Sequence, residues 1–546
     1  MIILTVVMFF YIDKKEGFHE DEIFSYTASN SSYSNIMLSY AKADNVDTIL
    51  KTPNMFETLH NLVYYIVFNR DEYDEKMISL QDRLDTSVWK TREEAAETME
   101  INSIHEVFDY FTVYWNTSRD VHPPLFYFLV HFVSSIFYNN FSKYIIFIIN
   151  LAFFLATCIV LRKIAKRLDK ENLAIPLLIL YGFSIGAIST VMFQRMYMML
   201  TFFTVLFLYI NLKIYYNNFK LDKKLKIELV VTTILGFLTQ YYFCIYAAFL
   251  ALAMIIIMLW KESKNEIENY ILQLIKSAII GVLLFLPSIY HIFFSYRGAG
   301  GALSEFTVLE KMIAFIKQFF DSFRLTIVAG IIICVILFIT LIIRCIKHKE
   351  DRYIYSLLIF PVLFSFVIVC RISPFRSVRY IMFFFPIIAI TSIWLMDNLI
   401  ELIVKNKNIR IGILVFLVCV ISIFGLITNK VNYLYIGYND YLKIANDNSE
   451  TRFVLICSTS YVHINDLLEF MTYKESIIID PDKLEQLRNN EELKQEDEFI
   501  LSIKNWAGDV DEILKDVLEY TGYSDYELLL NTGNSANCSV YKITKK

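Results

Sequence analysis

His19–Tyr26 reads HEDEIFSY, a histidine and three acidic residues running into an aromatic helix start. It follows Met1–Ile12, an unbroken apolar run, and so falls where hydrocarbon gives way to water. About a hundred residues later Asp120–Phe126, DVHPPLF, opens the next apolar run. The two stretches read as parts of one site on the outer face of a membrane, and the rest of the chain is organised around them.

The 546 residues are 56% hydrophobic and 16% aromatic, with a mean hydropathy of +0.46. Soluble domains run at about 45–50% apolar, so the excess indicates a multi-span membrane protein. A net charge of −5 offers no broad basic surface and argues against nucleic acid as a partner. Cys158, Cys244, Cys334, Cys345, Cys370 and Cys419 lie in or at the ends of apolar runs, without metal spacing, and read as small core residues. Cys457 and Cys538 lie in the polar tail, and nothing in their placement requires a disulfide. Met1–Ile12 is too short to cross about 30 Å of hydrocarbon. It also lacks the cationic start and small-residue cleavage site of a signal peptide. The expectation is a helix that continues into Asp13–Phe18, or a chain that starts upstream.

Charge sets the topology. Pro123–Tyr138 is apolar over about sixteen residues, and if it crossed, Arg162–Arg167 (RKIAKR) would share a side with HEDE. The positive-inside rule opposes that, so this segment reads as an interfacial helix. Spans then fall near 144–161, 172–192, 196–216, 227–242, 243–260, 271–294, 324–346, 353–371, 379–400 and 409–428, and every inner connection carries Lys or Arg. The fold class is an all-α membrane bundle of about eleven transmembrane helices, amino end inside and carboxyl end outside. Interfacial helices occupy a large first outer loop, about 13–143, whose charged middle, Arg70–Glu106, reads as exposed helix. From Tyr433 short β-rich runs (RFVLICS, SIIID, EFILSI, YELLL, SVYKIT) alternate with helical stretches such as Asp509–Tyr520. Residues 433–546 therefore form a small extracytoplasmic α/β domain beside a 1–432 membrane domain. Without phosphate loop or catalytic dyad, that domain reads as a structural or acceptor-docking cap.

Asp21 and Glu22 are the candidate catalytic carboxylates. A base at this depth can take a proton from a hydroxyl attacking a substrate whose reactive phosphate is held at the surface by its lipid tail. Two prolines suit the first turn of a helix, which leaves Asp120 and His122 on a loop facing the site as substrate-binding candidates. Gln194–Tyr197, QRMY, adds Arg195 and Tyr197 at an outer connection. Another, Arg371–Tyr380 (RISPFRSVRY), carries Arg371, Arg376, Arg379 and Tyr380. One outer arginine would be read as snorkelling to headgroups. Three together with Arg195 read as a clamp for a lipid phosphate, since guanidinium forks match phosphate oxygens. A clamp also stabilises charge growing on a phosphate leaving group, so one base and one clamp suffice. Attack opposite the phosphate would invert the anomeric centre.

HEDEIFSY, together with Phe108–Phe128 (FDYFTVYWNTSRDVHPPLFYF), resembles the multi-span C-type glycosyltransferases. Within these it resembles family 39, which includes protein O-mannosyltransferases and bacterial lipid A aminoarabinose transferases. The resemblance implies Asp21 as base, an HPP helix at the membrane surface, and a polyprenyl-phosphate sugar donor, undecaprenyl in bacteria. It implies transfer outside the cytoplasm, to a protein, lipid or cell-wall glycan acceptor. Some relatives use a divalent ion; no ligand set is defined here, and no metal or other cofactor is expected. The resemblance spans Met1 to about Val431. It departs in Arg70–Glu106, in the short first span, in Glu20 as a third carboxylate, and in the α/β tail. A competing reading is a transporter or flippase for a lipid-linked glycan. Against it, charges and prolines gather in outer loops rather than in broken helices near the midplane. A ligase acting on lipid pyrophosphate and an inactive scaffold are further alternatives.

Overall fold

The computed structural model describes residues 1–31, 89–118, 122–289, 306–323, 325, 327–428, 430–457, 466–533 and 537–545. The chain forms two compact units. The first comprises Met1–Ile12, Thr117–Phe126 and Ile146–Asn432; the second comprises Asp13–Asn116, Tyr127–Ile145 and Tyr433–Lys546.

The first unit is helical. Among the described residues eight helices are long and apolar enough to cross a membrane: Lys143–Arg167, Tyr197–Tyr216, Tyr242–Trp260, Lys264–Leu284, Ile327–Lys347, Lys349–Ile372, Val378–Glu401 and Lys407–Ile427. The chain is a multi-pass membrane protein. Each segment read as a span carries helix, but three depart from a simple crossing. Helix α1 (Ile2–Asp13) has 12 residues, and Lys223–Thr239 has 17. The segment read as one span over 172–192 is a pair, Glu171–Gly182 and Ile185–Met192, bent by 60°. Ser184 is the reason: its hydroxyl donates to Tyr181 O and accepts from Ala187 N–H, so it caps a new helix instead of continuing the old one. Ile327–Lys347 leaves Val328, Ile332 and Phe338 exposed, an apolar surface suited to lipid.

The second unit joins the first outer loop and the tail into one body. Its six-stranded sheet runs β1-β3-β2-β4-β6-β5. Strands β2 (Arg452–Ile456), β3 (Glu475–Ile479), β4 (Glu498–Lys504), β5 (Asp525–Thr532) and β6 (Cys538–Thr544) fall where the tail's β-rich runs place them. β2 is parallel to β3 and β4; the remaining pairs are antiparallel. Val454, Ile456, Leu501, Ile503 and Ile543 pack one face against Ile513, Leu514 and Val517 of helix Val510–Thr521. The edge strand β1 is Lys90–Thr91, from the first loop. The reading of Arg70–Glu106 as exposed helix is corrected in its described part. There Thr91 caps only the short helix Arg92–Ala96, whose Arg92 reaches Ser449 O and Glu450 of the tail. Met99 and Ile101 are buried, their carbonyls accepting from Asn30 Nδ2 and Asn139 N–H. Residues 70–88 lie outside the described residues. The compact units group the tail from Tyr433 with the first outer loop.

Helix Leu125–Ile136, in place of the interfacial helix, buries Val130, His131, Ser134 and Ser135 and exposes Phe132 and Ile136. One packed face and one exposed apolar face suit a helix lying in an interface.

Candidate active site

In the second unit HEDE is a helix start. Helix α2 (Glu20–Asn30) has His19 as its N-cap, with His19 Nδ1 accepting from Asp21 N–H at 3.0 Å. Glu22 Oε2 accepts from His19 N–H at 2.7 Å, which completes a capping box. Glu22 is fully buried, and both its oxygens accept from Lys15 Nζ, at 3.0 and 2.9 Å. Burial pulls the Lys15 ammonium below its usual range, and the Glu22 charge opposes that pull. The two carboxylates read as a catalytic pair thus have different surroundings. Glu22 is held inside the protein; Asp21 keeps 21% of its side chain exposed, with Oδ2 3.2 Å from His19 Nδ1. The open amides of a helix's first turn favour a negative charge at Asp21. His19, Glu20 and Asp21 bring potential ligand atoms within 4.8 Å of one another. This is a closer grouping than the sequence defines, although His19 Nδ1 already serves as the helix cap.

The arginines belong to the first unit. Phe193–Met196 is the turn between helices Ile185–Met192 and Tyr197–Tyr216, pinned by Asn150 Nδ2, which donates to Val191 O and Phe193 O. This turn buries Gln194 and Arg195. Arg195 Nη2 lies 3.5 Å from His122 Nε2, so QRMY and the HPP loop meet. Tyr197 stacks on Phe193 with ring centroids 5.5 Å apart. Both flanking helices pack against the 3₁₀ helix Val378–Phe384, which carries Arg379 and Tyr380. Arg379 is buried; it donates to the Tyr380 hydroxyl at 3.1 Å, and its guanidinium carbon lies 5.0 Å from that ring's centroid. Arg371 and Arg376 are exposed, Arg376 lying over the Phe306 ring at 3.7 Å. Asp120 lies outside the described residues.

Two residues of this region escape sequence reading. Helix Val308–Ser322 donates from Lys311 Nζ to Ser373 O at 2.5 Å and from Gln318 Nε2 to Arg376 O at 2.8 Å. One helix face therefore splints the arginine loop at two carbonyls. Lys311 is buried, and burial first, then the Arg371 charge, pulls its pKa down. Among the described residues neither Lys311 nor Arg371 has a carboxylate partner. The available signal was a lysine seven residues before Gln318 on the helix face that also buries Phe315.

No family model and no curated protein matches the chain. Among solved structures, ArnT from Cupriavidus metallidurans bound to undecaprenyl phosphate aligns with a TM-score of 0.52, over 99% of this chain and 96% of that one, at 10% identity. The chain has the ArnT fold. The apo state of ArnT aligns with a TM-score of 0.46 over 83% of this chain and 91% of that one, also at 10% identity. The first alignment runs over almost the whole of both chains, and so takes in both the helical and the sheet-bearing unit of this chain.

Proposed function

We propose that this chain is an integral membrane glycosyltransferase that moves a sugar from a polyprenyl-phosphate donor to an extracytoplasmic acceptor. The observation that carries the reading is Asp21, a part-exposed carboxylate on a capped helix start, in a chain of the ArnT fold. ArnT is an aminoarabinose transferase, within the group the sequence resembles, and its ligand in the matching structure is undecaprenyl phosphate. In the proposed reaction an acceptor hydroxyl attacks the anomeric carbon while its proton passes to Asp21. The bond from that carbon to the phosphate oxygen breaks, and the electron pair leaves on the phosphate. Arg195, Arg379, Arg376 and Arg371, with Tyr380, hold that phosphate, while His122, Tyr197 and Asp120 serve the sugar or acceptor. Inversion follows from attack opposite the leaving group. The acceptor is a protein, a lipid or a cell-wall glycan.

This reaction calls on no metal, because a phosphate held by guanidiniums leaves without further Lewis acid. Activity is expected to survive EDTA. Loss restored by Mg²⁺ or Mn²⁺ would assign His19, Glu20 and Asp21 to a cation instead. The site and the tail domain are proposed to face outward. Cysteines introduced beside Asp21 and Thr532 should then react with an impermeant reagent from outside only, and labelling from inside would overturn that orientation.

The deciding measurement presents radiolabelled undecaprenyl-phosphate sugars to purified protein in nanodiscs, with cell-wall extract as acceptor source, and follows free lipid phosphate. Consumption by wild type and none by Asp21→Asn is expected. The bent pair Glu171–Met192 favours a second reading, since broken spans suit transporters. A donor that binds yet is never cleaved would transfer the case to a lipid-linked glycan flippase.

A further inference from the structure

The three residues that lead into HEDE are each tied to the chain that enters the tail domain. Lys15 Nζ donates to Tyr433 O at 2.5 Å while holding Glu22. Glu16 N–H donates to Leu434 O at 2.8 Å, and the Glu16 carboxylate accepts from Gly437 N–H at 2.5 Å. A Cβ on Gly17 would come within 2.9 Å of Tyr438 Cγ and 3.0 Å of Tyr435 Cβ, so only glycine fits there without displacement. The His19 ring meets the Tyr433 ring edge-on, with centroids 6.3 Å apart.

The tail side of this junction is conformationally costly. Tyr433 and Tyr435 have φ of 67° and 51°, and Gly437 has 96°. A left-handed backbone is unfavourable for a bulky aromatic residue and persists only where surrounding contacts over-determine it. Here two such residues fall within three positions, at carbonyls and rings that Lys15, Glu16 and Gly17 engage. Strain held in this way clusters where geometry matters for function.

We infer that Tyr433–Tyr438 is a positioning element for the base, acting through Lys15, Glu16 and Gly17. The inference rests on Asp21 as the base. Lys15 fixes Glu22, Glu22 fixes the His19 amide, and His19 caps the turn that carries Asp21. The tail domain is therefore part of the catalytic apparatus and not only a cap, because its first residues set where the base helix begins. Its loss would leave Lys15 and Glu16 without their backbone partners.

The test measures donor turnover in nanodiscs for full-length wild type, Gly17→Ala, the double variant Lys15→Met with Glu22→Gln, and Asp21→Asn. The double variant removes both buried charges together, and glutamine keeps an acceptor for the His19 amide, so its fold does not depend on an orphaned ion. The expected result is a kcat at least tenfold lower for Gly17→Ala and the double variant. Their donor KM should stay within twofold, since the arginine cluster is untouched. Thermal unfolding counts the folded fraction, and kcat is expressed per folded molecule. A merely structural role would lower that fraction and leave kcat per folded molecule unchanged. If Gly17→Ala does not fold, the double variant decides. Wild-type kcat in the folded double variant, with Asp21→Asn inactive, overturns the positioning role and spares the base. Wild-type kcat in Asp21→Asn removes the base, and the positioning role with it.

Discussion

The acidic stretch and the arginine region bury charge in opposite ways. Around HEDE the fully buried charges are matched one for one, Lys15 against Glu22, and Asp21 stays partly open on a helix start. Around RISPFRSVRY the cations meet rings, hydroxyls and carbonyls, Arg376 on Phe306, Arg379 on Tyr380, and Lys311 on Ser373 O beside Arg371, with the Glu310 carboxylate close enough to feel the Arg376 charge. A third cluster, inside the tail domain, has two buried carboxylates for one lysine among the described residues: Asp466 accepts from Lys504 at 2.7 Å, and Glu469 from the Tyr438 hydroxyl at 2.7 Å. There the surplus is absorbed by a proton, because burial and then the Asp466 charge push Glu469 up to about 8. Arginines cannot shed a proton in this way. A cluster of guanidiniums attracts an anion, whereas a matched buried pair asks for no ligand. That contrast is why the base is sought at Asp21 and the phosphate at the arginines.

The largest effect expected from it concerns neighbouring carboxylates. Asp21→Asn should lower turnover by about 10²–10⁴-fold, the usual scale for a general base, with the melting temperature little changed. Glu22→Gln alone should act first on stability, since it strands Lys15 as a buried charge at a cost of about 3–5 kcal/mol. Thermal unfolding and kcat measured together check both. If Asp21→Asn unfolds the protein while Glu22→Gln folds normally, the two roles are exchanged and the comparison fails.

A tenfold weakening, about 1.4 kcal/mol, is expected in donor affinity for Arg379→Ala. The exposed Arg376 should matter less, so Arg376→Ala should raise donor KM by less than Arg379→Ala does. Titration with undecaprenyl phosphate reads both, and a larger effect on acceptor than on donor would undo the clamp.

The smallest effect sharpens the third case. A carboxyl raised from an ordinary 4.5 to about 8 gives the folded state more bound protons than the unfolded state within that window. Stability tied to Glu469 is then fully present below pH 4.5, declines as pH rises, and is lost by about pH 8. Glu469→Gln should therefore raise the unfolding temperature relative to wild type at pH 8–9 and change it little at pH 4–5. An equal shift at both pH values would show that the proton is not what balances the cluster.

The sequence by itself determined the membrane class, the helical segments, the tail's strands and the polar motifs, because hydropathy, period-two alternation and proline placement act locally. It could not divide Asp21 from Glu22, since that depends on Lys15, whose approach is set by a carbonyl 418 positions away. Nor could it show that Lys90–Thr91 pairs with β3, or that Ser184 breaks a span instead of riding within it. Lys311 and Tyr433 were silent for the same reason: a buried lysine and a left-handed tyrosine draw their meaning from partners far away in the chain. Only the tertiary structure decided which charges are spent on holding the fold and which stay partly open to solvent.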